Sequence, residues 1–345
     1  MDDSSDELVE FTRDRIISER TTLLPSIAVF DETKSAFAKL IEAIALRSSL
    51  CTLDFCRLIL CAYNCSLSKS DQILFNAYRA ASSTVDASSL RPFLFGTVAV
   101  EQWGEETDAK RINEKESRLL LNSLNADRMK ATLADFPHFC SVDGTELNIS
   151  RDDFGEIYDP GFLLRALCDS CRNSVSIDVI QLIKSGALSF VFLSLTIGDS
   201  ELRSVAVETL SRIKEHSMLY RWSNYNLISS LFHLFELVAD PAAPLSGVGA
   251  QFFARAAQLL VHPEHEFYQT VMAGVVHMEP FESSIPDFID YFWATIDQKG
   301  KRVWVLNMIH DGITKRSDIK SLFYYHAVEF ILASLNGASK DHYLT

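Results

Sequence analysis

The sequence has no hydrophobic run long enough to cross a membrane. Its most apolar stretch, residues 187–197, is about half the roughly 20 residues that a spanning helix needs. The first residues are acidic and contain no apolar segment of the kind that a signal peptide requires. The sequence therefore predicts an intracellular protein that does not enter the membrane.

Positive charge is scarce as well. The chain has 32 Lys and Arg against 46 Asp and Glu, which gives a formal net charge of −14. Because this excess repels a phosphate backbone, protein partners are favoured over nucleic acid. The seven cysteines are odd in number and have no repeated spacing, which favours reduced thiols over a disulfide framework.

Motifs that carry chemistry are also missing. There is no G-x-S-x-G elbow and no G-x-x-x-x-G-K-[ST] phosphate loop, and Gly247-Val248-Gly249 stands alone. Cys168 and Cys171 lack a second pair of ligands, so buried thiols are expected rather than a zinc site. We therefore predict no enzymatic activity, no metal, no cofactor and no small-molecule substrate.

A strong helix start lies near the middle of the chain, at Tyr158-Asp159-Pro160. Asp159 is expected to accept hydrogen bonds from the first free backbone N–H groups of the helix. Pro160 suits the first helical position because its missing N–H would have no partner there. The sequence therefore predicts Asp159 and Pro160 as structural residues.

After Pro160 the sequence consists of apolar helical segments separated by short turns. Short connections make neighbouring helices antiparallel, and stacked antiparallel pairs form a solenoid. The segment that begins at Asp199 is typical of a HEAT-type repeat, with Arg203 a few residues inside the helix. We therefore predict an all-α, armadillo/HEAT-like solenoid in which Asp199 and Arg203 join consecutive repeats.

The same pattern divides the chain into four regions. They are predicted to be an N-terminal helical extension, a first helical segment, a long loop and a C-terminal helical-repeat domain, at residues 1–57, 58–137, 138–157 and 158–345.

Basic side chains gather near the C-terminal end, next to Trp304. They are Lys299, Lys301, Arg302, Lys315, Arg316 and Lys320. They fall at two successive predicted turns that could share one edge of a solenoid and contact RNA or a partner. The alternative is that they are ordinary turn charges that keep the helix ends solvated.

Several short blocks resemble, in order and spacing, the C-terminal region of the nucleolar pre-ribosomal-associated protein 1 family. No single block is specific, but together they extend over roughly residues 60–335. The main blocks are Arg91-Pro92, Leu94-Phe95-Gly96, Asp127-Arg128-Met129, Phe136-Pro137, Tyr158-Asp159-Pro160, Ser185-Gly186-Ala187-Leu188, Asp199, Leu202-Arg203, Pro263-Glu264-His265, Trp304-Val305 and Gly312-Ile313.

This resemblance implies an armadillo-like helical fold, a nucleolar location and a role in large-subunit ribosome assembly, including maturation of the large-subunit and 5.8S rRNAs. It implies other large-subunit assembly factors and pre-ribosomal particles as partners, with pre-rRNA as a further candidate. It offers no catalytic residues, and it implies that the chain is a fragment, a split gene product or a reduced homologue. Two other hypotheses stay open, namely a generic HEAT-type adaptor outside the ribosome pathway and, third, an enzyme.

Overall fold

A computed structural model describes residues 3–47, 51–86, 90, 94–104, 119–139, 157–173, 177–219, 225–238, 243–277, 299–324, 328, 329 and 332. Sixteen helices are bounded within these residues. The β-type pairing they contain is one isolated antiparallel bridge between Ser66 and Tyr158. For this part of the chain, the prediction of an all-helical protein is confirmed.

The chain divides into two compact units. Unit 1 comprises Met1–Thr132 and Cys140–Asp178, and unit 2 comprises Leu133–Phe139 and Val179–Thr345. The backbone N–H of Asp159 donates to the Cys65 carbonyl at 3.0 Å, which attaches that helix start to unit 1. The four regions drawn from the sequence stay a prediction. Most of the predicted loop at 138–157 lies outside the described residues.

Unit 1 contains the first eight helices, although the division cuts α7 after Thr132. The predicted N-terminal extension is an integral part of this unit, since α3 packs along α5. The helices are α1 (Asp3–Ser18), α2 (Arg20–Val29), α3 (Asp31–Ala45), α4 (Leu53–Ala62), α5 (Lys69–Ser82), α6 (Gly96–Gly104), α7 (Ala126–Ala134) and α8 (Pro160–Asn173).

The start of α5 is built around a buried ion pair. Ser68 caps the helix by accepting a hydrogen bond from the Asp71 N–H at 3.3 Å. The Asp71 carboxylate is fully buried and pairs with Lys34 of α3, which is also buried. It also accepts from the backbone N–H groups of Asn64 and Ser66, at 3.3 and 3.1 Å. Because a buried charge is costly without partners, this set of contacts ties α3 to α5.

The start of α8 enters the same interior. Asp159 accepts from the Gly161 N–H at 2.8 Å and from the Tyr63 hydroxyl at 2.9 Å. Cys65, whose carbonyl receives the Asp159 N–H, has a left-handed backbone with a φ of 56°. Burial is the largest influence on the Asp159 carboxyl and raises its pKa from 3.8 to about 6.

Arg128 of α7 closes this region of unit 1. Its guanidinium lies 4.1 Å from the centre of the Tyr158 ring and donates to the Cys65 carbonyl at 2.8 Å. The Tyr158 hydroxyl in turn accepts from the Asn125 N–H at 2.8 Å. Three segments distant in sequence are therefore held together by polar contacts.

Unit 2 contains the remaining helices. They are α9 (Val179–Lys184), α10 (Ala187–Ser194), α11 (Ser200–Leu219), α12 (Tyr225–Val238), α13 (Gly247–Leu259), α14 (Tyr268–His277), α15 (Lys299–Gly312) and α16 (Arg316–Tyr324).

Helices α10 and α13 form the centre of unit 2. Every residue of α10 is buried, and α13 packs against α10, α12, α14 and α15. Phe192 and Phe253 stack with ring centres 5.5 Å apart, and Phe235 meets both rings edge-on. The Ser189 hydroxyl donates to the Ala254 carbonyl at 2.6 Å, which satisfies a polar group inside an apolar core.

The backbones of α13 and α15 approach each other directly at two glycines. A Cβ atom added to Gly247 would collide with the Gly312 carbonyl oxygen, and one added to Gly312 would lie 2.6 Å from the Val248 Cα. Both obstacles are backbone atoms, which cannot rotate away as a flexible side chain can. Gly247, the first glycine of the Gly-Val-Gly sequence, therefore serves helix packing.

Substitution of Gly247 by Ala should push α13 and α15 apart. We expect a loss of about 1–3 kcal/mol or more in the free energy of unfolding, because overpacking here has no side chain to absorb it. Gly198→Ala is the matched control, since a Cβ atom there meets no atom within 4 Å. Urea unfolding of the full chain measures both variants, and equal stabilities would contradict the close approach.

Asp159→Asn should remove a pH-dependent contribution to the free energy of unfolding of unit 1. The folded carboxyl holds its proton more tightly than the unfolded one, so its stabilising contribution is complete below about pH 4 and is lost as the pH rises through about 6. The free energy of unfolding of the parent, relative to Asp159→Asn, should fall over that range by on the order of 3 kcal/mol. Urea unfolding at several pH values tests this sign, and a difference that rises with pH would refute it.

Three further variants calibrate that experiment. Asp159→Ala removes the helix cap at every pH and should cost roughly 0.5–2 kcal/mol, while Pro160→Ala should cost less. Asp54→Asn, which changes an exposed carboxylate of α4, controls for the loss of one negative charge.

Candidate functional site

The six predicted basic residues lie at both ends of α15. Lys299 is the first residue of α15, and Lys301 and Arg302 follow in its first turn. Their side chains lie outside the described part of the structure. Lys315 occupies the turn after α15, and Arg316 and Lys320 belong to α16. At 1.5 Å per residue, α15 separates the two groups by about 20 Å, so the predicted patch is divided in two.

Lys315 has a structural role. Its ammonium group donates to the Thr196 carbonyl at 3.0 Å, although the two residues are 119 positions apart. Partial burial lowers the pKa of Lys315, and Arg203 lowers it further, while Asp318 raises it. The lysine therefore attaches the turn before α16 to the turn after α10.

The same junction contains His138. Its imidazole contacts the Thr196 hydroxyl. Burial, reinforced by Lys315, lowers the pKa of His138 to about 4. This histidine is therefore neutral at physiological pH and serves the packing of unit 2.

Asp318 shapes the start of α16. Its carboxylate accepts from the backbone N–H groups of Thr314 and Lys315, at 3.1 and 2.9 Å. It points into the protein and is almost fully buried. The rigid turn leaves Arg316 and Lys320 on the outside of α16, where both are exposed.

Asp199 and Arg203 stabilise the beginning of α11. Asp199 accepts from the Glu201 N–H at 2.8 Å, as an N-cap does. The Arg203 guanidinium donates to the carbonyls of Ile197 and Gly198, at 2.8 and 2.6 Å. These bonds close the turn between α10 and α11, and the joining of consecutive repeats stays a prediction.

Trp304, which the sequence places beside the basic residues, already packs within unit 2. Its ring stacks on Phe267 with centres 4.9 Å apart, and the Arg255 guanidinium lies 5.7 Å from its centre. Arg255 also pairs with Asp311 at 2.6 Å. The indole is therefore engaged by neighbours of its own unit.

The structure shows how the cysteines and the possible metal ligands are placed among the described residues. Among them, no three His, Cys, Asp or Glu side chains come close enough to hold a metal ion. Cys168 and Cys171 are both buried in α8. Burial raises the pKa of Cys56 and of Cys61 to about 12, which keeps these thiols protonated. None of the helices in the described segments is long and apolar enough to span a bilayer.

The sequence pattern missed the exposed apolar side chains between the cations of α16. Ile319 and Phe323 are exposed on that helix beside Arg316 and Lys320. Each of them follows a cation by three residues, Ile319 after Arg316 and Phe323 after Lys320, and this spacing was the available signal. An amphipathic helix ordinarily turns such apolar residues inward, so the sequence alone assigns them to the core.

Comparison with known proteins connects the chain to one family. Residues 188–344, which include all of α10 except its first residue and all of α11 to α16, match the model of the family described as nucleolar pre-ribosomal-associated protein 1. No solved structure matches the chain.

Two curated relatives carry the same name. The human protein is 25% identical over 324 residues, which cover 86% of this chain and 14% of the human protein. The mouse protein is 25% identical over 290 residues, which cover 78% of this chain and 12% of the mouse protein. The chain thus spans about one-seventh of the length of these relatives.

The shared name describes both relatives as nucleolar and as associated with the pre-ribosome, and it names no catalytic activity. The family model and the two relatives together confirm that this chain resembles the C-terminal region of the nucleolar pre-ribosomal-associated protein 1 family.

Proposed function

We propose that this chain forms part of a non-catalytic nucleolar scaffold for biogenesis of the large ribosomal subunit. The observation that carries the proposal is the similarity to human nucleolar pre-ribosomal-associated protein 1 over 86% of the chain. In this role the chain would support maturation of the large-subunit and 5.8S rRNAs. It would do so by holding other components in place during early pre-ribosome assembly.

The proposal includes an armadillo- or HEAT-like arrangement of the helices in unit 2. Helices α10, α11, α12 and α13 pack successively on one another and are joined by short connections. The capped turn at Asp199 and Arg203 supports this arrangement. Stacked helix pairs of this kind present long surfaces to several partners at once.

The partners in this proposal are other large-subunit assembly factors and pre-ribosomal particles. The net charge of −14 favours protein over naked RNA as the direct contact. Pre-rRNA is a secondary candidate, through the basic residues at the two ends of α15. A generic HEAT-type adaptor outside the ribosome pathway is the alternative, and an extranucleolar location of the tagged chain in intact cells would favour it.

Depletion of the protein should change the profile of rRNA precursors. We expect less mature large-subunit RNA and more of its precursors, while the small-subunit RNA stays comparatively normal. Northern analysis of total RNA measures both branches in one sample. Re-expression of the parent protein is the control, and a normal precursor profile after depletion would favour the adaptor hypothesis.

Binding to naked precursor RNA should be weak at cellular salt. Phosphate binding draws its affinity from the release of counterions and needs several cations together. Because Lys315 is engaged with Thr196, at most about five of the basic residues remain, which limits the single-strand salt slope to roughly −3.5. A salt titration of RNA binding by the full chain measures this slope.

Paired charge reversals make the titration specific. Lys301→Glu with Arg302→Glu should weaken RNA binding further. Arg212→Glu with Lys214→Glu carries the same change in charge on α11, where both cations are already paired with acids, and should have a smaller effect. Tight, salt-resistant binding that ignores the first pair would contradict both the charge argument and the basic site.

A further inference from the structure

Helix α16 has an exposed stripe made of Arg316, Ile319, Lys320 and Phe323. At 100° per residue these four positions lie within an arc of about 100°. Ile319 is 42% and Phe323 is 56% exposed, and both cations are exposed. Two apolar side chains therefore alternate with two positive charges on one side of a single helix. We call these four residues the basic-apolar stripe.

The opposite side of α16 already has its own packing. Asp318 and Leu322 are each 3% exposed and point into unit 2. Asp318 holds the turn before the helix, as described above. The inner face therefore accounts for the position of α16, and the outward direction of the stripe follows from it.

The two cations are available for a partner. Among the residues that the structure describes, neither Arg316 nor Lys320 has an ion pair or a side-chain hydrogen bond. Lys315 differs from them because it is attached to Thr196. In a chain with a net charge of −14, an exposed pair of unengaged cations beside apolar side chains attracts a partner of the opposite charge.

The chemistry of the stripe favours a protein helix over RNA. Two cations engage about two phosphates, which gives little affinity at cellular salt. Phe323 offers one ring on which a base could stack and Ile319 offers none, so the stripe lacks a platform for successive bases. In contrast, a helix with apolar residues three and four positions apart buries both Ile319 and Phe323 when its own apolar side lies against them.

We propose that the basic-apolar stripe docks an acidic amphipathic helix of a second protein. The apolar side chains of that helix cover Ile319 and Phe323, and its flanking carboxylates pair with Arg316 and Lys320. The inference deepens the scaffold role proposed above by assigning one surface and one class of partner to it.

Site-specific photocrosslinking tests this proposal in the full chain inside cells. Benzoylphenylalanine replaces Phe323, and mass spectrometry identifies the crosslinked peptide. We expect a protein segment with apolar residues at helical spacing and acidic residues beside them. Arg316→Glu with Lys320→Glu should reduce the crosslink yield roughly tenfold or more. Arg212→Glu with Lys214→Glu, the pair already neutralised by acids on α11 and α12, should leave the yield unchanged.

Charge reversal on the partner distinguishes a specific contact from nonspecific binding. Replacement of the partner's acidic residues by Lys should restore the crosslink to the Arg316→Glu, Lys320→Glu variant. Arg316, Lys320, Phe323 and Arg212 are at exposed positions, while Lys214 of the control pair is half-buried. Circular dichroism with thermal unfolding checks that each variant is folded. A crosslink to RNA, to a peptide without the acidic amphipathic pattern, to no partner, or with a yield indifferent to charge would overturn the inference.

Co-sedimentation of the unsubstituted chain with large-subunit precursor particles is measured in parallel. If the crosslink depends on charge but the chain does not co-sediment with the particles, the docking role of the stripe is upheld and the ribosomal role is contradicted. If the chain co-sediments but the crosslink does not depend on charge, only the docking role of the stripe is contradicted.

Discussion

The close approach of α13 and α15 at Gly247 and Gly312 is the constraint on which much of unit 2 depends. Helix α13 is buried among the surrounding helices of unit 2, so its position constrains that of α15. The end of α15 leads directly into the turn that Asp318 and Lys315 hold in place. The direction of α16, and with it the exposed side of that helix, therefore follows from the backbone contact at the two glycines together with the polar contacts of this turn.

The two units are stabilised by different kinds of interaction. Unit 2 relies on apolar packing, with stacked phenylalanines between α10, α12 and α13. Unit 1 adds a buried polar interior, where Asp71 pairs with Lys34 and Asp159 meets Tyr63. Buried polar groups are costly unless every partner is present. This dependence makes unit 1 sensitive to substitutions that change one hydrogen bond without changing volume.

Local features were the part of the fold that could be predicted from the sequence. The helical class, the cap at Asp159 and the turn at Asp199 each depend on side chains that act on neighbouring backbone groups. Contacts between distant segments have no such signal. The bond from Lys315 to the Thr196 carbonyl joins residues 119 positions apart and removed one cation from the predicted patch. The role of the glycines in α13 and α15 likewise could not be predicted from the sequence, because it depends on the contact between the two helices.

The contact role of the six basic residues stays a prediction, and their arrangement could not be predicted from the sequence. Helix α15 separates them along the chain and leaves Arg316 and Lys320 beside Ile319 and Phe323. A surface that mixes charge with apolar area is suited to holding a protein partner. This arrangement is compatible with the scaffold role that the family resemblance supports.

The most direct test of the central claim is purification of the tagged protein from cells under conditions that preserve particles, with identification of the RNA and the proteins that remain bound. The scaffold role predicts large-subunit precursor RNA together with large-subunit assembly factors. Recovery of proteins from transport or signalling pathways, with no ribosomal precursor RNA above background, would contradict it.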